Sequence, residues 1–149
     1  MPTLIGNEDS FIETLTHLIE LDFDAAAAYE TAIKRIDDGA LGDQLAQFMS
    51  DHQRHIQELS SIVRDLGRLP PTETDFKSVL TQGKVIIGNI AGDKGILQAM
   101  KSNEDDTNQA YNQALQRTDI LPQALPMLER NLADERRHRA WIEQQLTRI

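Results

Sequence analysis

Apolar side chains recur at helical spacing in four stretches of this chain. From about Glu8 to Asp38 the apolar positions include Phe11, Leu15, Leu18, Ala25, Ile33 and Ile36, and from about Leu41 to Leu66 they are Leu41, Leu45, Phe48, Leu59, Ile62 and Leu66. A third stretch starts at Asp93, read as an N-cap, and passes through Leu97, Met100 and Leu115 to about Arg117. A fourth starts near Pro122, which a first helical turn tolerates, and continues through Leu125, Leu128, Leu132, Ile142 and Leu146. The short turn Gly39-Ala40-Leu41-Gly42 makes the first two helices antiparallel neighbours, and Gly67 with Pro70-Pro71 stops the second. Residues 67–92 differ in character: Thr72-Glu73-Thr74-Asp75 signals the cap of a short helix, and Val85-Ile86-Ile87 is expected to pack against the rest.

These elements predict one domain over residues 1–149: a hairpin at 8–66, a crossover at 67–92 and a second hairpin at 93–148. Helices of roughly 25 residues are about 38 Å long, and the crossover is long enough to travel that distance, so helices 2 and 3 run parallel. The expected fold is all-α, an antiparallel four-helix bundle with one long crossover between helices 2 and 3.

Strict three-four spacing places polar residues inside the seam. Helix 1 turns Asp22 and Tyr29 inward, helix 2 His52 and His55, helix 3 Glu104, Thr107 and Tyr111, and helix 4 Glu135 and His138. Each interruption falls near the middle of its helix, so the four form one layer. Three buried carboxylates repel one another, by about 4 kcal/mol per close pair at an effective dielectric near 20. Against a folding free energy of roughly 5–15 kcal/mol, that repulsion needs compensation by cations, by protonation or by a network of cationic side chains. Three carboxylates and three imidazoles converging on one place suit Fe, Mn or Zn better than Ca or Mg.

Composition narrows the choice. The chain has no cysteine, which removes disulfides, thiolate metal sites and thiol nucleophiles. A net charge of −9 argues against nucleic acid. There is no apolar run near membrane-spanning length, and the first ten residues carry no secretory signature, so a cytoplasmic protein is expected. A homodimer is the default assembly.

The chain also repeats itself. Asp51-His52-Gln53-Arg54-His55 returns 83 residues later as Asp134-Glu135-Arg136-Arg137-His138, and Asp22 with Tyr29 returns 82 residues later as Glu104 with Tyr111. The second of these pentapeptides resembles the Asp/Glu-Glu-x-Arg-His motif of the soluble di-iron carboxylate proteins, the ferritin-like superfamily, and the whole layout is similar to small bacterial ferritin-like families of unknown function. That resemblance implies metal ligation by Asp22 from helix 1, His52 and His55 from helix 2, Glu104 from helix 3, and Glu135 and His138 from helix 4. It also implies that Asp51 and Asp134 accept from the far nitrogen of a ligating histidine, with Arg54 and Arg137 holding those aspartates. Tyr29 and Tyr111 are expected beside the ligands, as hydrogen-bond donors or redox-active phenols. The sequence departs from the superfamily at His52, where a bridging Glu is usual, which leaves Glu135 as the one bridging carboxylate.

The expected protein is therefore a non-haem metal protein, di-iron first with Mn or Zn as alternatives, acting on O₂ or peroxide or handling iron under stress. The competing expectation is a non-enzymatic bundle in which a structural metal or the polar layer itself sets helix register and the work is protein–protein contact.

Overall fold

The computed structural model of the chain describes residues 5–73, 90 and 92–149. Four helices make up the described fold: α1 (Phe11–Arg35), α2 (Gly39–Asp65), α3 (Asp93–Ala114) and α4 (Leu125–Leu146). They form an all-α four-helix bundle, with α1 packed on α2 and α3, and α4 packed on α3 and α2. Tyr111 reaches Asp22 while Tyr29 reaches Glu104, so α1 and α3 run antiparallel. The same holds for α2 and α4, where His55 meets Asp134 and His138 meets Asp51. Consequently α2 and α3 point the same way, and the chain enters α3 at the opposite end of the bundle from where it leaves α2. The expected crossover is largely outside the described residues, as are the helix after the capping signal and the packing of Val85-Ile86-Ile87.

The helix starts follow from local chemistry. Ser10 caps α1 by accepting from Glu13 N, and Asp38 caps α2 by accepting from Ala40 N and Leu41 N. Asp93 does not cap α3 as its position suggests. Gly92, at φ +86°, takes the cap position, and the Asp93 carboxylate instead accepts from Asp37 N at 2.8 Å and Asp38 N at 3.0 Å. That contact ties the α1–α2 turn to the start of the second hairpin. The last helix begins at Leu125 with Pro126 in its first turn, later than the start expected at Pro122.

Two apolar clusters fill the bundle, one toward each end. The first gathers Phe11, Leu15, Leu18 and Ile19 of α1 with Leu59 and Ile62 of α2, Ala110 and Ala114 of α3, and Leu128 of α4. The second gathers Tyr29 and Ala32 with Leu41, Leu45, Phe48, Leu97, Met100 and Ile142. Leu66 and Leu125, expected inward, are exposed, because each sits at a helix end past its cluster. Between the clusters the seam changes character, and the buried residues there are acids, imidazoles and their partners.

Candidate metal centre

All six residues picked out as ligands lie in this middle layer. Asp22 is 1% exposed, and His52, His55, Glu104, Glu135 and His138 have no exposed surface. Their placement follows from helical spacing: on each helix they continue the stripe that is apolar one turn above and below.

The six side chains form two overlapping groups of four, with the chosen ligand atoms in each group all within 4.8 Å of one another: Asp22, His52, His55 and Glu135 in one, and His52, Glu104, Glu135 and His138 in the other. In the first group Asp22 Oδ1 lies 2.8 Å from His52 Nδ1 and 3.2 Å from His55 Nδ1, and Glu135 Oε1 lies 3.4 Å from each of the same nitrogens. In the second, Glu104 Oε1 lies 3.1 Å from His138 Nδ1 and 3.4 Å from His52 Nε2, while Glu135 Oε2 lies 3.6 Å from His138 Nδ1. Glu135 therefore turns one oxygen toward each group, and His52 turns one nitrogen toward each.

The surrounding contacts are reciprocal between the two hairpins. His55 Nε2 meets Asp134 Oδ2 at 2.9 Å, and His138 Nε2 meets Asp51 Oδ2 at 2.7 Å. Arg54 bonds Asp134 and Arg137 bonds Asp51, while each arginine also reaches the aspartate of its own helix. Tyr29 donates to Glu104 Oε1 at 2.6 Å, and Tyr111 donates to Asp22 Oδ2 at 2.5 Å. Each half of the layer is thus held by residues of the opposite half. When His55 and His138 are neutral, giving Nε2–H to an aspartate leaves the lone pair of each imidazole at Nδ1, facing the centre.

Electrostatics shows what the layer needs when no cation fills it. Burial pushes His55 and His138 toward neutrality, but their carboxylate partners outweigh burial and raise them, His55 to about 10 through Asp134, Asp22 and Glu135, and His138 to about 9 through Glu104 and Glu135. His52 is likewise raised well above its usual range against the pull of burial, by the charge of Glu135 and the bond to Asp22. Burial works against ionised Asp22 and Glu104, yet the imidazoles hold both below the ordinary carboxylate range. Asp134 is held at about 2, as His55 and Arg137 overcome its burial. Glu135 goes the other way: burial, with the charge of Glu104 added, raises it despite the nearby imidazoles. Its Oε1 has no hydrogen-bond partner. A buried carboxylate oxygen with no hydrogen bond, facing imidazoles whose nitrogens become donors once a cation displaces their protons, has the character of a site that binds a cation.

Sequence reasoning did not assign four residues that shape the layer. Thr107, seen only as a seam position, puts its hydroxyl 3.0 Å from Glu104 Oε2 and 2.9 Å from Glu135 Oε2. Asn108 Nδ2 ties the main chains of α3 and α4 by donating to Glu104 O and Glu135 O. The Phe48 ring lies 4.2 Å from the ring of His138, centroid to centroid. Buried Asn131 approaches the Tyr111 hydroxyl at 3.4 Å, and its Oδ1 has no partner. The signal for Thr107 was its place three residues from Glu104; the others became visible only once the helices were docked.

A family model described as a domain of unknown function, DUF2383, matches residues 10–117, and the chain belongs to that family. The matched span holds Asp22, His52, His55 and Glu104, while Glu135 and His138 lie beyond it. No curated protein and no solved structure matches the chain.

Proposed function

We propose that this member of the DUF2383 family is a non-haem metal protein of ferritin-like design, which holds transition-metal ions, iron before Mn or Zn, between its four helices. Its work is redox chemistry with O₂ or peroxide, or the handling of iron. The observation that carries this is Glu135 Oε1, a fully buried oxygen with no hydrogen bond that faces two imidazole nitrogens at 3.4 Å, in a layer with five other residues of ligating type. Nitrogen and oxygen donors without sulfur suit these metals, and three carboxylates offset most of the charge of two divalent ions.

In this scheme Asp22, His55, Glu104 and His138 each serve one position, and His52 and Glu135 stand between the two. Bound iron would supply one-electron chemistry toward oxygen species. The chain's residues do the rest: Asp134 and Asp51 fix the tautomers of His55 and His138, Tyr111 and Tyr29 orient Asp22 and Glu104, and the two apolar clusters keep bulk water from the layer. The resemblance to ferritin-like proteins supports the assignment through the same bundle topology and through every ligand position except His52, where this chain departs.

The test is elemental analysis of protein purified without chelator, compared with a His55→Ala, His138→Ala double variant. Stoichiometric metal that falls to background in the variant supports the reading. Metal-free protein whose melting temperature ignores added Fe(II), Mn(II) and Zn(II) defeats it.

A second reading has an observation of its own. Every nitrogen of His52, His55 and His138 lies within 3.4 Å of a carboxylate oxygen, so three imidazolium ions could neutralise three acids without any metal. The layer would then set helix register in a non-enzymatic bundle that acts through protein contact. Fe(II)-loaded protein exposed to oxygen separates the two: an oxidised-iron absorption band develops only under the first.

A further inference from the structure

His52 differs from the other two histidines in having no aspartate outside the layer to hold one of its nitrogens. Nδ1 faces Asp22 at 2.8 Å and Nε2 faces Glu104 at 3.4 Å, so both nitrogens look inward, one to each group. A neutral imidazole has a single lone pair. It can complete one group of four or the other, never both at once, whereas a Glu at this position would have an oxygen for each.

The two groups also differ in spare capacity. In the Glu104 group the Thr107 hydroxyl sits against one oxygen of Glu104 and one of Glu135, and the Phe48 ring closes over His138. By the 82- and 83-residue repeat offsets, the counterparts of Thr107 and Phe48 in the Asp22 group are Ala25, which has no polar side chain, and Asn131. The two buried side-chain acceptors of α4 that lack a hydrogen bond, Asn131 Oδ1 and Glu135 Oε1, belong to the Asp22 side, since Asn131 adjoins the tyrosine that bonds Asp22 and Glu135 Oε1 faces His52 and His55.

We infer that the two groups are unequal seats: the first divalent ion binds at Asp22, His52, His55 and Glu135, and the seat at Glu104 and His138 fills only weakly. This rests on the metal-binding function proposed above and says how that site is loaded. The first ion takes the lone pair of His52 and the free oxygen of Glu135. A second ion then finds three protein donors rather than four, with the single Thr107 O–H set between Glu104 and Glu135, and a layer whose three negative charges are already mostly offset.

The experiment is titration of metal-free protein with Co(II), followed by visible absorption, with equilibrium dialysis for stoichiometry. One ion per chain is expected to bind tightly and a second at least about tenfold more weakly, the scale on which disturbed ligand support changes metal affinity. Asp22→Asn should abolish the tight ion, and Glu104→Gln should leave it in place. Thr107→Val should tighten only the second ion, and His52→Glu should bring the two affinities together. Circular dichroism checks that each variant keeps its helices; the wild-type titration alone decides whether the seats are unequal, and the Asp22 and Glu104 variants decide which of them is the tight one. Two equal ions in the wild type overturn the inference while leaving the metal function standing, as does loss of the tight ion in Glu104→Gln but not in Asp22→Asn. Absence of any bound ion overturns both.

Discussion

Glu135→Gln keeps the shape of the side chain at the centre of the layer and removes its charge. In metal-free protein the carboxylate is poorly served, because Oε1 has no hydrogen bond and the group is raised by burial and by Glu104. Leaving a buried polar group unpaired costs about 1–3 kcal/mol, and more for a charged one. The substitution relieves the charge but keeps an amide to satisfy, so metal-free protein should be unchanged or stabilised by roughly 1 kcal/mol. A chain of this size shifts its melting temperature by about 2–4 °C per kcal/mol, which predicts a rise of no more than a few degrees. With metal the sign reverses. An ion present at 1,000 times its dissociation constant stabilises wild-type protein by about 4 kcal/mol, or roughly 8–16 °C. Glu135→Gln, having lost the one carboxylate common to both groups, should lose most of that increment. Differential scanning calorimetry with chelator and with excess Zn(II) measures both quantities. A variant that melts well below wild type without metal, or that keeps the full metal increment, would refute the placement of Glu135 as an underused ligand.

Metal-free protein should lose stability as pH rises. His55 and His138 are raised to about 10 and about 9 from an ordinary 6.5, so their contribution is complete below pH 6.5 and is lost as pH climbs through 9 to 10. Each contributes a slope of up to about 1.4 kcal/mol per pH unit in that window, and a melting temperature flat from pH 6 to 9.5 in chelator would contradict it. Asp134→Ala leaves His55 without its Nε2 partner and should weaken metal binding by about 10–100-fold, measured by competition with a chromogenic chelator. Asp93→Ala removes two bonds to the α1–α2 turn and should cost about 1–2 kcal/mol in urea denaturation, with metal affinity unchanged because the contact lies at the end of the bundle.

The bundle and the buried polar layer were both legible because helical spacing reads the same way for apolar and polar residues. Leu15, Leu18, Asp22, Ala25 and Tyr29 follow one stripe, and a stripe that must be buried buries its polar members with the rest. The repeat added that two hairpins carry the same pattern. What escaped was the choice of partner wherever one hairpin docks on the other. Asp51 stands four residues before His55 and Asp134 four before His138, yet each aspartate serves the histidine of the opposite hairpin, a choice fixed by the approach of α2 to α4. Asp93 has the composition of an N-cap, but a glycine at positive φ takes the cap and frees the carboxylate for a contact 55 residues away in the chain. Leu66 and Leu125 kept the apolar period past the point where there was anything to pack against.

Crossed partnership has a consequence for how metal and fold are coupled. A hairpin of α1 and α2 brings Asp22, His52 and His55 together, but Asp22 takes its phenol from α3 and His55 takes its aspartate from α4. The hairpin of α3 and α4 depends in the same way on Tyr29 and Asp51. Neither half can orient its own donors, and Glu135 has no value to the first group until α4 is docked. An ion in this layer therefore discriminates between the docked bundle and every partly opened state, so its stabilisation should be global. In hydrogen exchange, bound Zn(II) should slow the most protected amides of all four helices by the same factor. Slowing confined to one hairpin would show that the halves open independently and that the crossed contacts do not couple them.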